Sequence, residues 1–451
     1  MNLIDRDTEL TVKYLQKIIS KHDSEVRPKL KKLKEYYLSN HAIGKRMLKD
    51  PTKPNNKLAN PYGNYITDMF VGYFVGEPIG YKSNDDSALE ELQMLLTYND
   101  EQDHNAELAK NASIYGRAYE LLYYDQDKSL RFKVIESDSV IMIYDRSIEQ
   151  ELLYAIRYFT YYSLEKDDNE TLVEVYGRDK VRIYKGHYHN EGLVLVDEYP
   201  HFFGQVPVIE YRNNDDMIGD YELIVSLIDA YDKLESDSLN DFEYFCDAYL
   251  ALYGMEADEE EIKKMKENRV MLLDLNAKAE WLIKNGNDTQ IENLKTRIDA
   301  DIHKFSKCPA LTDEQFSSNA SGVAMRYKLT GMENVTAIKE RKFKRGLQRR
   351  IELIGNILSI KGSGFDWRAI EIVFTRNLPT NEDELADTIN KLRGMVSNET
   401  LISLLPFIDD VQKELEKLKS ENEINTFTSD DEEVDDELLD EEARTDSKQE
   451  L

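Results

Sequence analysis

Cysteine is nearly absent from this chain: Cys246 and Cys308 are the only two in 451 residues. They lie far apart in helical patterns, form no CxxC pair and permit no disulfide framework, which points to a reducing, cytoplasmic setting. Long uncharged apolar runs are missing as well. No stretch approaches the ~18 residues of a membrane span, and the start, MNLIDRDTEL, carries Asp5, Asp7 and Glu9 where a secretory signal needs an apolar segment. Positive charge is the third deficit, with 58 Lys and Arg against 88 Asp and Glu and a net charge of −30. That balance argues against a simple nucleic-acid-binding surface, because phosphate contacts require clustered cations. It does not exclude a conduit, whose walls gain nothing from gripping a polyanion that must slide. No Walker A, GxGxxG, HExxH or GxSxG pattern stands in a credible context, and no internal repeat is found.

What is present suits a globular protein of two to four domains, since 41% of the residues are hydrophobic and 10% aromatic. Leu10–Ser39 has the period of an amphipathic helix interrupted near Pro28. Asn60–Ile79 reads as an apolar helix stopped at Gly76-Glu77-Pro78, and Leu89–Thr97 and His104–Gly116 as two more. Between Ala118 and Tyr211 the period changes to alternation, giving antiparallel strands at Tyr119–Tyr124, Val140–Tyr144, Leu153–Tyr162, Leu172–Tyr176, Lys180–Tyr184 and Leu193–Val196. Helix returns from Asp220 to about Gly254. A small α/β insertion follows at Met255–Gly286, with a strand at Val270–Leu275 and the segment Glu280–Ile283, and then a helix at Asp288–Lys307. A strand at Ile370–Thr375 precedes short helices across Glu382–Ser420. The tail Asp430–Glu442, ten acidic residues in thirteen, is expected to be disordered. The fold class is α+β.

The densest information lies in Ser317–Lys361. A polar segment, Ser317–Gly322, runs into a helical pattern of about 40 residues, roughly 60 Å at ~1.5 Å per residue. Its apolar stripe includes Met332, Val335, Ile338, Phe343, Leu347, Ile351, Ile354 and Leu358. Such a stripe is too long for one compact core and calls for a neighbouring copy. Opposite it stands a basic run, Lys339, Arg341, Lys342, Lys344, Arg345, Arg349 and Arg350. The run is open to three readings: a solvated face, pairing with an acidic neighbouring subunit, or direct DNA contact. Gly331, Gly346 and Gly355 invite a bend or a close approach. Asp229, Asp232, Asp237 and Asp241 spread over several helix faces, which favours solvation over a two-metal site. Asp258–Glu261 reads as the acidic first turn of a helix, and His187-Tyr188-His189 as an exposed hairpin without a third metal ligand.

The order of these elements resembles the portal protein (head-to-tail connector) of long-tailed bacteriophages. The resemblance is carried by Asn60–Ile79 with its Val71-Gly72-Tyr73 and Gly76-Glu77-Pro78, by Ala112–Glu120, by Asn319–Ala324, and by Leu378-Pro379 through Ser397–Leu401. It implies a mainly helical portal architecture and a ring, usually of twelve copies, at one capsid vertex. By position it implies a mixed α/β wing at 1–219 with the return strand 370–375, stem helices at 220–254 and 287–308, and a clip at 255–286. It further implies a tunnel loop at 309–321, a long helix returning to the wing at 322–369, a helical crown at 376–425 and an acidic tail at 426–451. The loop residues Asp313, Glu314, Gln315, Ser317, Ser318 and Asn319 would face DNA. Lys339, Arg341, Lys342, Arg345 and Arg349 are the candidates for subunit pairing. The implied function is a non-enzymatic channel for genome packaging, head-to-tail joining and ejection. It has no cofactor, catalytic residue or metal, and its ATPase is a separate terminase. Implied partners are double-stranded DNA, terminase, a head-completion adaptor, and the major capsid and scaffolding proteins, with no membrane. The location would be the virion, after assembly in the host cytoplasm. The alternatives are a metal-dependent phage nuclease using the Asp-rich segments and a structural capsid or scaffold component.

Overall fold

The N-terminal amphipathic pattern folds as two helices in line. In the computed structural model α1 (Val12–Lys21) is capped by Thr11, whose hydroxyl accepts from the Tyr14 amide. A π-helical turn at His22–Val26 joins it to α2 (Arg27–Tyr37). Pro28 therefore sits in the first turn of α2, where its missing N–H leaves no hydrogen bond unmade. The structure describes residues 2–420 except 52, 165–166, 188–191, 247–248, 254–257, 259, 261, 265–277, 283–287, 311–321, 361, 363–364, 378–381, 406–407, 409–410 and 412–413.

Helices α3 (Tyr62–Val75), α4 (Asp86–Tyr98) and α5 (Glu101–Tyr115) stand where the apolar period places them. Alternation then builds a six-stranded sheet. Its strands are β1 (Asn2–Ile4), β5 (Val140–Asp145), β6 (Leu152–Ser163), β7 (Asp168–Tyr176), β8 (Lys180–Gly186) and β9 (Val194–Pro200), in that spatial order. All neighbours are antiparallel except β1, which runs parallel to β5. Because successive side chains point to opposite faces, Ile141, Ile143, Ile156, Tyr158, Val173 and Val175 share a core with Leu15 and Ile19 of α1. Val140, Met142, Ala155, Tyr176 and Val181 belong to a second core.

A three-stranded sheet has β3 (Arg117–Tyr124) between β4 (Leu130–Ile135) and β10 (Val208–Arg212). The last two strands lie outside the segments that the alternating period marks as strand. A short pair joins β2 (Gly80–Lys82) to β13 (Glu371–Val373), the expected return strand. Helix α6 (Val225–Cys246) is followed by β11 (Tyr249–Tyr253), which pairs with β12 (Lys278–Leu282). Residues 249–253 are thus strand where helix was expected, because a partner some 30 residues away completes their ladder. Helix α7 spans Asp288–Ser306 and the long helix α8 spans Gly322–Ile360. The expected strand at Val270–Leu275 lies outside the described residues.

The long helix corrects one expectation. Its stripe does not wait for a neighbouring copy: Phe343, Leu347, Ile351, Ile354, Ile357 and Leu358 are buried in this chain's own largest core, with residues of α4, α5, β3, β4 and β13. At ~25 cal/mol per Å² of buried apolar surface, such side chains contribute about 1.5–3 kcal/mol each. Met1–Ser318 and Tyr327–Asn377 form one compact unit. Asn319–Arg326 and Leu378–Leu451 form a second, whose described helices include α9 (Glu382–Leu392) and α10 (Asn398–Ile402), the latter capped by Ser397.

Candidate functional site

The basic run divides into cations that face inward and cations that face out. Arg350 is completely buried. Its guanidinium meets Glu101 at 3.0 Å and Glu120 at 2.8 Å, and lies over the Phe132 ring. Glu120 also accepts from Tyr211 at 2.7 Å and lies 2.6 Å from His104 Nε2, while Glu101 accepts from Tyr81 at 2.5 Å. Burial alone would raise the Glu120 carboxyl, but Arg350 and His104 outweigh it and hold it down at about 2. Arg350 in turn is held well above its ordinary value by the same carboxylates, against its own burial. The cluster ties the long helix to α5 and β3 through charge-assisted hydrogen bonds.

Lys339 is likewise internal. It is buried, paired with Asp220 and placed 4.1 Å from the centre of the Phe70 ring. Burial pulls its ammonium below the ordinary lysine value, and Asp220 offsets part of that pull. Asp220 also accepts from Ser113 at 2.5 Å, and the nearby Cys308 thiol is pushed up to about 12 by burial, so it is inert. Lys342 pairs with Asp215, Lys344 donates to the Ile372 carbonyl, and Arg349 bonds Glu352 at 2.8 Å. Arg341 and Arg345 remain. They lie four apart on one exposed face beside Ile338, and among the described residues neither has an ion pair. A signal for the inward pair was present: Met332, Thr336, Lys339, Phe343, Leu347, Arg350 and Ile354 recur every three or four residues, in phase with the apolar stripe.

The aspartates of α6 form a joint: Asp229 and Asp232 are engaged inside the fold, against their expected place on a solvated face, while Asp237 and Asp241 are exposed as expected. Asp232 is completely buried and meets His41 Nδ1 at 2.5 Å. Its other oxygen accepts from the Asn60 amide at 2.8 Å and the Asn60 side chain at 3.0 Å. Asp229 accepts from the Tyr36 hydroxyl, and Asp237 bonds Arg46 at 2.6 Å. Ser236 and Asn240 hold the backbone of Leu58 and Asn56. These partners all come from residues 36–60, so the helix leading to the β11–β12 hairpin is fixed along one side by hydrogen bonds. Asp241 is exposed.

The loop residues Asp313, Glu314, Gln315, Ser317, Ser318 and Asn319 lie outside the described residues, as do most of the insertion and the acidic tail. Among the described residues no group of three or more His, Cys, Asp and Glu side chains could hold a metal ion, and no helix is long and apolar enough to cross a membrane. His187 sits 3.6 Å from Asp168.

Comparison with known proteins gives a consistent result. Residues 16–426 match the family model described as phage portal protein, SPP1 Gp6-like. A portal protein of Bacillus phage SPP1 is 25% identical over 477 aligned residues, covering 97% of this chain and 90% of that relative. A portal protein of Clostridium phage phiCD119 is 22% identical over 445, covering 90% of this chain and 97% of that relative.

Proposed function

Since this chain belongs to the SPP1 Gp6-like family of phage portal proteins, we propose a division of labour among its parts. The family fixes the role: a non-enzymatic, homo-oligomeric ring at the capsid vertex through which the genome is packaged and ejected, in the virion. The finer reading assigns residues 1–219 with 370–375 to the wing, 220–254 and 287–308 to the stem, 255–286 to the clip, 309–321 to the tunnel loop and 376–425 to the crown. The ring has twelve copies and is assembled in the host cytoplasm. The clip receives terminase during packaging and the head-completion adaptor afterwards, and capsid and scaffolding proteins meet the wing.

One observation carries the mechanism. The long helix is seated in the wing core by Arg350 and Lys339, two buried cations whose carboxylate partners lie on other elements. Removing either partner from such a pair costs about 3–5 kcal/mol, so the helix is a rigid strut. The loop 309–321 precedes that strut and is polar, with Asp313 and Glu314 unsuited to phosphate and Gln315, Ser317, Ser318 and Asn319 offering weak, exchangeable hydrogen bonds. A stiff mount carrying a weakly binding loop lets DNA slide past while keeping the opening in shape.

The test is to introduce Lys at Ser317 and Asn319. Repeated around a ring, these cations would bind phosphates and release counterions, giving salt-dependent drag. Rings should assemble and show an axial hole in electron micrographs, while packaging falls and partly recovers at higher ionic strength. Unchanged packaging by verified double-Lys rings would remove the loop from the DNA path without touching the family's role.

A further inference from the structure

The charge of this chain is unevenly distributed. Residues 12–57 carry thirteen Lys and Arg against four Asp and Glu, a net of +9, which leaves −39 on the remainder. The two arginines of this segment are half-buried and engaged internally, Arg27 with Asp23 and Asp138 and Arg46 with Asp237. All eleven lysines are exposed. Some have partners, such as Lys29 with Glu222 and Lys34 with Glu136. Among the described residues, Lys13, Lys17 and Lys31 have no ion pair. Lys13 and Lys17 lie four apart on α1, away from the buried Leu15 and Ile19, and Lys31 follows on α2 about 21 Å beyond Lys17 at ~1.5 Å per residue.

We propose that this lysine-lined outer face of α1 and α2 is a second DNA contact, distinct from the channel, which takes double-stranded DNA through its phosphates without reading sequence. Three features select DNA over a second copy of the chain. Subunit interfaces are depleted in Lys and enriched in Arg and aromatic residues, whereas this face is lysine with its arginines turned inward. Its cations are strung along helices, matching a linear polyanion that carries one charge per ~1.7 Å of axis. The role of the ring brings DNA to the protein. Carboxylates such as Glu136 and Glu222 neutralise the lysines they touch, but charges further away than the Debye length of ~10 Å at 0.1 M salt are largely screened and do not cancel the attraction at Lys13, Lys17 and Lys31. A lysine ammonium is a hydrated point charge, so such a contact holds DNA loosely and yields under load.

The experiment uses full-length rings and covalently closed circular duplex DNA, which cannot thread the channel, beside linear DNA of the same sequence. Wild-type rings should bind the circles with an affinity that falls steeply with salt. Rings bearing K13E, K17E and K31E together should bind circles at least ~10-fold more weakly at low salt, with a log–log salt slope smaller by roughly 2–3. Rings with the corresponding Lys→Gln changes should lie between. A comparison triple, K128E, K133E and K185E, alters net charge equally at exposed sites elsewhere and should stay within about 2-fold of wild type.

Three results would overturn the proposal: wild-type rings that bind only linear DNA, equal losses in the two Glu triples, or failure of both N-terminal triples to assemble while the comparison triple forms rings. The last would make this face a contact between copies. In each case the axial hole of the wild-type ring, and with it the portal reading, stands unaffected.

Discussion

His41 shows how a single ring can be read from its acceptors. Its Nδ1 faces the Asp232 carboxylate at 2.5 Å and its Nε2 faces the Tyr36 carbonyl oxygen at 3.1 Å. Both neighbours only accept, so both nitrogens donate and the ring is the imidazolium. Burial works against that charge, but Asp232 outweighs it and raises His41 above its ordinary value of 6.5. A base whose folded value is raised stabilises the fold fully below its unfolded value, and that contribution is lost as pH rises through the folded value. His41→Gln should therefore cost about 1–3 kcal/mol near pH 6, with the gap to wild type narrowing as pH rises above 6.5. Urea unfolding of both proteins across pH 6 to 9.5 measures it; a gap that stays constant would mean the ring is uncharged. None of this was legible beforehand. Asp232 repeats at spacings that suit solvent, and its partners His41 and Asn60 lie more than 170 residues away.

At the scale of the element, the long helix was legible in its start and its period, but it stops at Ile360, nine residues before the end of the implied span 322–369. Which of its cations turn inward was legible only as phase, since Lys339 and Arg350 keep step with the apolar stripe; their partners Glu101, Glu120 and Asp220 were not, because they are brought up from distant segments. Strands β4 and β10 escaped for a related reason: each gains its ladder only by flanking β3. The helix glycines separate by environment. A Cβ on Gly346 would lie 2.4 Å from the Tyr211 ring, which is tethered through its hydroxyl to Glu120 and has little freedom to move. A Cβ on Gly331 would meet nothing closer than Lys307 at 3.8 Å. Alanine gains about 1 kcal/mol of helix propensity at either position, while overpacking costs about 1–3 kcal/mol. Gly331→Ala should stabilise by about 0.5–1 kcal/mol, and Gly346→Ala, where the 2.4 Å approach puts the cost in the upper part of that range, should destabilise by up to about 2 kcal/mol net, read as opposite shifts of the unfolding midpoint. Matching signs would deny the close approach of Tyr211.

For the whole molecule, burial of the long helix within its own subunit changes what ring formation has to be built from. The apolar stripe from Phe343 onward is already covered, so it offers no adhesive to a neighbour, and the intersubunit role proposed for the basic helix narrows to Arg341 and Arg345. These stand exposed beside Ile338, itself 46% exposed, on a chain whose excess of carboxylates ensures acidic surface on an adjoining copy. Exposed pairs contribute only about 0.2–1 kcal/mol each. Two per interface, turned from attraction to repulsion, amount to roughly 2 kcal/mol, or about 30-fold in the association constant of each contact. A closed ring repeats that change at every interface, so the loss compounds. The R341E/R345E double variant should therefore dissociate at higher protein concentration than wild type when rings are diluted and sedimented at 0.1 M salt. The difference should shrink at 1 M, where the Debye length falls to ~3 Å. Reversal of Lys128 and Lys133, exposed cations on the β3–β4 hairpin, makes the same change in net charge and should leave the dissociation point near wild type. If the two double variants dissociate alike, the outer face of the long helix is solvated in the ring, and the subunits are held by surfaces other than this helix.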